Sequence, residues 1–364
     1  MDILELFKKI LSFRSITPDD GGAFEFIEEY LSGFEVIKLD IEGVKNRFFY
    51  KKFGDGEHLC FAGHIDVVPP GDGWSSDPFA PTLKDGFIYA RGAQDMKSGL
   101  SAFLKSVHDA KNFNGTLSVL LTSDEEGDAR YGTVKMLEHL KDINFLPDFA
   151  IVAEPTCEER FGDTIKIGRR GSINGIIEKM GVQGHAAYPN KAKNPIHIVS
   201  KVLPHMAGAL LDEGDENFEP SQFVVTDIRA GMEVTNVTPA SLKMMFNVRN
   251  STKTTAEDVK NFVDRYFSGM DYTLALNQSA KPFVTERNSK VVKVISEAIF
   301  NIVDIRAKLS TAGGTSDARF FGEFGVDTVE FGVKNDTIHA INERVGVDEV
   351  IELERVFSKV IKEF

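Results

Sequence analysis

Three short apolar runs constrain this chain most: HLCFA at 58–62, TLSVLLT at 116–122 and FAIVA at 149–153. None is long enough for an ordinary helix, and none alternates apolar with polar residues. Each therefore reads as a strand buried on both faces, the kind found in sheets covered by helices. Helical patterns separate them. From Met96, Leu100, Phe103, Leu104 and Val107 fall on one face of a helix, and another helix is predicted near 131–140. Two amphipathic helices open the chain near 2–12 and 23–32, with strands around 35–39 and 46–52. Residues 69–86 are rich in Pro, Gly, Asp and Ser, which predicts a loop or hairpin. The alternation as a whole predicts an α/β sheet with helices on both faces.

The pattern changes in the middle of the chain. A strand at 173–182, a helix at 195–211, strands at 222–229 and 241–249, a helix at 256–268 and a strand at 271–279 follow in order. This β-α-β-β-α-β sequence is the ferredoxin-like unit. The α/β pattern then resumes with helices at 289–302 and near 315–321, a strand at 327–332 and a helix at 348–363. The expected organisation is a discontinuous core domain, 1–170 and 282–364, with an α+β domain inserted at 171–281.

Composition excludes some function classes. A net charge of −13 argues against a nucleic-acid backbone as partner. It leaves room for an anionic small molecule, because local arginines can override the global field. The two cysteines, Cys60 and Cys157, make no disulfide framework and fit a cytoplasmic protein. The opening MDILELFKKILSF has helical periodicity interrupted by charges, unlike a signal peptide, and no apolar run approaches a membrane span.

The candidate chemistry lies where the strands end. His64 follows the run at 58–62, Glu125 and Glu126 follow 116–122, Glu154 follows 149–153, and His339 follows 327–332. In open α/β sheets the crevice beyond the carboxyl ends of the strands is where ligands bind. Asp95 would join from the start of its helix. Two histidines with several carboxylates suit a metal site that activates water. Asp95, Glu126 and Glu154 carry three negative charges, which with one hydroxide balance two divalent cations. Glu125 is then left free for proton transfer. Asp66 is placed to hold His64 in one tautomer. Taken singly, each residue also has a plain reading: a capping aspartate, a solvated DEEG turn, a surface histidine.

The motifs carry a resemblance along essentially the whole chain. They are GHIDVVPPGDGW (63–74), ARGAQDMKSG (90–99), LTSDEEGDA (121–129), AEPT (153–156), GRRGS (168–172), GHAAYP (184–189), STAGGTSDARF (310–320) and FGVKNDTIHAINERV (331–345). The sequence resembles the dinuclear zinc M20 family of amidohydrolases and peptidases. The resemblance implies a zinc-peptidase-like core with a mixed sheet flanked by helices, and an inserted lid and dimerisation domain. It implies two Zn2+ per subunit, with Co2+ or Mn2+ as substitutes, held by His64, Asp95, Glu126, Glu154 and His339. Glu125 would be the general acid/base and Asp66 the ligand-orienting carboxylate.

The resemblance also implies a homodimer in which a lid histidine, here His185, completes the neighbouring copy's active site. Tyr188, Asn236, Arg169, Ser172, Arg249, Gly314, Thr315 and Asn335 match substrate contacts. Within the family the match points to deacylation of an N-succinyl diamino acid in lysine and cell-wall precursor synthesis. N-acetylornithine deacetylation is the alternative, and a non-catalytic dimeric binding protein is a more distant one. Glu154 as glutamate fits the deacylase and carboxypeptidase branches. Two positions depart from the usual pattern: Val333 stands where proline is common, which implies a less rigid loop before His339, and AQDMKSG replaces the commoner A-[AT]-D-M-K-G-[GS].

Overall fold

The computed structural model describes residues 1–364, which divide into two compact units. The first comprises Met1–Gly168, Val284–Ser310 and Ser316–Phe364; the second comprises Arg169–Phe283 and Thr311–Thr315.

The first unit is built on an eight-stranded mixed sheet. Its order is Glu35–Ile41, Val44–Lys52, Thr116–Thr122, His58–His64, Phe149–Val152, Asp327–Glu330, Thr164–Lys166 and Lys308–Ser310. The four strands from Thr116–Thr122 to Asp327–Glu330 run parallel. Val44–Lys52 and Glu35–Ile41 add antiparallel strands at one side. Every residue of His58–His64 and Thr116–Thr122 is buried, as their unbroken apolar runs require.

Alternate residues of these strands point to opposite faces. Leu59, Phe61, Leu117, Val119, Leu121, Ile151 and Val329 join one continuous core with the helices Ile3–Leu11, Lys97–Asp109, Lys290–Val303 and Val347–Glu363. Each fully buried Leu, Ile or Phe there contributes about 1.5–3 kcal/mol. The helices Thr133–Asp142 and Ala318–Glu323 pack on each other, the first also on Val44–Lys52 and Thr116–Thr122 and the second on Asp327–Glu330. The first helix is fixed at its start by a capping box: Glu5 N donates to Asp2 Oδ1 at 2.8 Å, and Asp2 N donates back to Glu5 Oε2 at 3.0 Å.

The second unit carries a four-stranded antiparallel sheet, ordered Gln222–Ala230, Ser241–Arg249, Ser172–Met180 and Tyr272–Ala280. The helix Ala256–Phe267 buries Val259, Val263 and Phe267 at a spacing of one turn. The chain order is β-α-β-β-α-β, with one change. The helix expected over 195–211 is two short pieces, Pro195–Val199 and Leu203–Met206. Pro204 has no N–H to give to the preceding turn, and its ring clashes with the carbonyl four residues back.

The loop or hairpin expected at 69–86 is a loop that ends in a hairpin, Thr82–Lys84 pairing with Phe87–Tyr89. Two strands of the core sheet carried no signal in the sequence. The strands Thr164–Lys166 and Lys308–Ser310 are three residues each, too short to show a period. No helix is long and apolar enough to cross a membrane.

Candidate metal centre

The parallel strands finish along one edge of the sheet. Register pairs His64 with Thr122, Ala62 with Val152, and Val152 with Glu330. His64 is itself the last residue of its strand, and the segments bearing Glu125, Glu126, Glu154 and His339 leave from the neighbouring ends. Asp95 lies just before the helix Lys97–Asp109. It does not cap that helix, which has no side-chain cap at its N-terminus. The helix start is drawn close to the strand ends through Gly99, where a Cβ would stand 2.1 Å from Ala153 O. Gly332 does the same from the other strand, since its Cβ would meet Glu154 O at 2.4 Å.

Asp95 stands between the two histidines. Its Oδ1 is 3.2 Å from His64 Nε2, and its Oδ2 is 3.2 Å from His339 Nε2. His339 Nε2 is also 2.9 Å from Glu126 Oε1. On the other side, His64 Nε2 lies 3.8 Å from Glu154 Oε1 and 4.0 Å from Glu125 Oε2. Ligand atoms of His64, Asp95 and Glu126 all lie within 4.8 Å of one another. The seven residues expected at the strand ends and the helix start are therefore one cluster: two histidines and four carboxylates, with Asp66 beneath.

The second ring nitrogen of His64 is held from below. Nδ1 donates to the main-chain carbonyl of Asp66 at 2.9 Å, leaving Nε2 facing the carboxylates. The expected contact to the Asp66 carboxylate is thus a main-chain one, since Oδ1 is 3.6 Å away. That carboxylate has other partners. It accepts from Thr17 Oγ1 at 2.7 Å, Glu126 N at 3.2 Å and Glu125 N at 3.4 Å. Asp66 thereby fixes the His64 ring with its backbone and the Glu125–Glu126 turn with its side chain. Thr17 carried no signal in the sequence, because nothing local marks a threonine that meets a partner so far along the chain.

The electrostatics are those of crowded acids. Burial, and then repulsion from Asp317, Asp95 and Glu126, push Glu125 well above the usual carboxylate range despite His64 nearby. Burial and the fields of Asp95 and Glu125 do the same to Glu154. Burial raises Asp66 to about 6. Asp95 goes the other way: burial opposes it, but the bonds to His339 and His64 hold it far below its ordinary value. The Asp95 and Glu126 bonds raise His339 to about 10. Burial would lower His64, but the bond to Asp95 and the fields of Glu125, Asp66 and Glu154 raise it well above its usual value.

These residues fit a divalent-cation centre. Imidazole and carboxylate are the donors that zinc and its substitutes accept. Glu154 Oε1 is buried and has no hydrogen-bond partner, so an acceptor faces the cluster unpaired. Asp95 presents one oxygen to each histidine, as a carboxylate shared between two ions would.

The remaining expected residues, except Asn335, lie in the second unit. His185 is exposed; its Nδ1 accepts from Ala187 N at 3.1 Å, and its ring centroid is 5.8 Å from that of Tyr188. Ala186 N donates to Asn236 O at 2.9 Å, bringing Asn236 to the same place. Arg169 is buried and donates to Ala312 O at 3.0 Å, in the segment that also holds Gly314 and Thr315. Ile173 pairs with Val248, so Ser172 and Arg249 are neighbours on adjacent strands. Asn335 belongs to the first unit, where its N–H bonds Cys157 O at 3.1 Å. Cys60 and Cys157 are both buried and free, with the Cys60 thiol pushed up to about 12 by burial.

A buried acid cluster at the carboxyl edge of a helix-covered mixed sheet defines a class, the metal-dependent amidohydrolases and peptidases. The chain belongs to peptidase family M20/M25/M40, whose model matches residues 60–363. A succinyl-diaminopimelate desuccinylase of a Nitratiruptor species is 69% identical over 364 residues, 100% of each chain. A protein of the same name from Nautilia profundicola is 67% identical, again over 100% of each chain. Among solved structures, the aminopeptidase PepT of Bacillus cereus superposes with a TM-score of 0.82 at 20% identity, covering 99% of this chain and 97% of its own. A dinuclear metal-binding M20 peptidase of Bacillus subtilis superposes at 0.70 with 11% identity, covering 99% of this chain and 96% of its own.

Proposed function

We propose that the protein hydrolyses N-succinyl-LL-2,6-diaminopimelate to succinate and LL-2,6-diaminopimelate, in the biosynthesis of lysine and diaminopimelate. The amide C–N bond breaks, a C–O bond forms from water, and the amine leaves with a proton. The single observation that carries the chemistry is Asp95, with one carboxylate oxygen toward each histidine and Glu125 left free beside them. The full-length similarity to proteins named for this reaction supports the substrate.

Two ions would be held by His64, Glu154 and Asp95 on one side and by His339, Glu126 and Asp95 on the other. When bound, zinc or a substitute such as cobalt or manganese supplies Lewis acidity toward the amide carbonyl and lowers the pKa of water. Glu125 takes a proton from the attacking water and returns it to the departing amine. Asp66 keeps the Glu125 turn and the His64 ring in place. Arg169 and Arg249 suit the two carboxylated ends of the substrate, since a guanidinium binds carboxylate in a bidentate fork. Ser172, Tyr188, Asn236, Gly314, Thr315 and Asn335 complete its contacts.

The second unit serves as lid and dimer interface in this reading, and His185 from the neighbouring copy donates to the oxyanion. A donor of that kind contributes a few kcal/mol to the barrier. The strand Gln222–Ala230 supports an interface there. It is the edge of its sheet and exposes Val224 and Ile228, and such an edge is a ready template for pairing.

The test is hydrolysis of N-succinyl-LL-2,6-diaminopimelate beside N-acetylornithine, with zinc-loaded and chelated enzyme. Zinc-dependent succinate release with little acetate is expected. Cleavage of acetylornithine alone would overturn the substrate and keep the chemistry, and full activity after verified metal removal would overturn the chemistry.

A further inference from the structure

His339 and Asp95 are placed by segments far apart in the chain, and His339 is poorly supported locally. It lies outside any helix or strand, its ring is 44% exposed, and its backbone adopts a left-handed conformation at φ 57°. Asp95 precedes an uncapped helix. Yet their Oδ2 and Nε2 atoms lie 3.2 Å apart. Something must hold both backbones at that spacing, and two buried charges do so.

Glu343 is fully buried and Arg91 nearly so. Glu343 Oε1 accepts from Asp95 N at 3.1 Å and from Gln94 N at 2.7 Å. Its Oε2 accepts from Gly92 N at 3.0 Å and from Arg91 Nη1 at 2.7 Å. One carboxylate therefore grips the whole turn that presents Asp95. Arg91 Nη2 in turn donates to His339 O at 3.3 Å and to Pro70 O at 3.2 Å. The guanidinium also lies over the Trp74 ring, 5.2 Å from its centroid, and Trp74 Nε1 shares the Pro70 carbonyl at 2.8 Å. Gln94 ties the two segments again, donating to Asp336 Oδ1 at 2.6 Å and accepting from Thr337 N at 2.8 Å.

We propose that the Arg91–Glu343 pair is a brace that sets the distance between Asp95 and His339, making both positioning residues of the metal centre. This rests on the reading of Asp95 and His339 as metal ligands. A role in stability alone is a poor explanation. A buried ion pair is often no more stable than an apolar pair of the same volume. This pair also leaves Arg91 Nε buried without a partner. What it supplies is direction: three backbone N–H groups of the Asp95 turn and the His339 carbonyl are each met by a charged group. Partners behind metal ligands commonly set affinity by 10- to 100-fold.

Metal-free wild type, Arg91→Lys and Glu343→Gln would be titrated calorimetrically with Zn2+. Circular dichroism and melting of the metal-free proteins would report the fold, and visible spectra of the Co2+-loaded forms the ligand geometry. Lysine keeps a cation beside Glu343 but cannot reach two segments with a planar fork. The expected result is folded variants that bind at least one zinc ion about 10- to 100-fold more weakly, with altered cobalt spectra and kcat reduced more than KM is changed. Folded variants with wild-type zinc affinities and spectra would overturn the brace. Should Glu343→Gln fail to fold, Arg91→Lys alone decides by the same criteria. A wild type that binds no zinc would remove the ligand reading itself, and the brace with it.

Discussion

Replacing Glu125 by glutamine separates catalysis from stability at one atom. The side chain lies 4.0 Å from His64 Nε2 and takes no part in the Asp95–His339–Glu126 contacts. The variant should therefore keep both ions. Losing a positioned general base typically costs 10²- to 10⁴-fold in turnover, or about 3–5 kcal/mol in the barrier. The metal-free protein should respond in the opposite sense. Burial and three nearby carboxylates disfavour the Glu125 charge, while His64 favours it. A pair of charges 4 Å apart is worth about 4 kcal/mol at an effective dielectric of 20, and here one attraction offsets part of three repulsions. The net relief is on the order of 0.5–2 kcal/mol, the range that single stabilising substitutions commonly reach. The assay compares succinate release, zinc stoichiometry and the denaturation midpoint of the chelated proteins. Turnover within tenfold of wild type would remove Glu125 as the proton carrier. A variant less stable than wild type when metal-free would refute the account of crowded charge.

Three further outcomes follow from particular contacts. His58, whose Nε2 lies 2.7 Å from Ser118 Oγ, is lowered by burial to about 4, against the opposing field of Asp148. Its folded pKa is below its unfolded one, so its contribution to stability is intact above pH ~6.5. That contribution is lost as pH falls toward 4, by on the order of 3 kcal/mol; denaturant midpoints of wild type and His58→Gln should converge over that range, and parallel curves would refute it. Gly99→Ala would place a Cβ 2.1 Å from Ala153 O and should destabilise by at least about 1–3 kcal/mol while weakening zinc binding through Glu154; an unchanged urea midpoint would count against that close approach. Mixing His185→Ala with Glu125→Gln subunits should restore part of the activity that each lacks alone, and its absence despite confirmed subunit exchange would argue for a site completed within one chain.

The sequence by itself determined the longer strands and helices of the core and their alternation. HLCFA, TLSVLLT and FAIVA can only be buried strands, and strands of that kind need helices over both faces. Because the candidate ligand residues follow strand ends, their convergence could be read from the order of elements alone. His64, Asp95, Glu125, Glu126, Glu154 and His339 do meet at one sheet edge. The broken helix after Pro195 was less legible, since its apolar spacing continues through a proline that the backbone cannot accommodate. Only the tertiary structure decided how the residues share their partners. Periodicity says which way a side chain faces, not which backbone group it finds across 252 residues, the separation between Arg91 and Glu343. Nor does it say that the main-chain carbonyl of Asp66 holds His64 while the carboxylate holds the Glu125 turn. Those choices are made by packing: strands and helices must first be brought into contact before a buried donor has any acceptor to select.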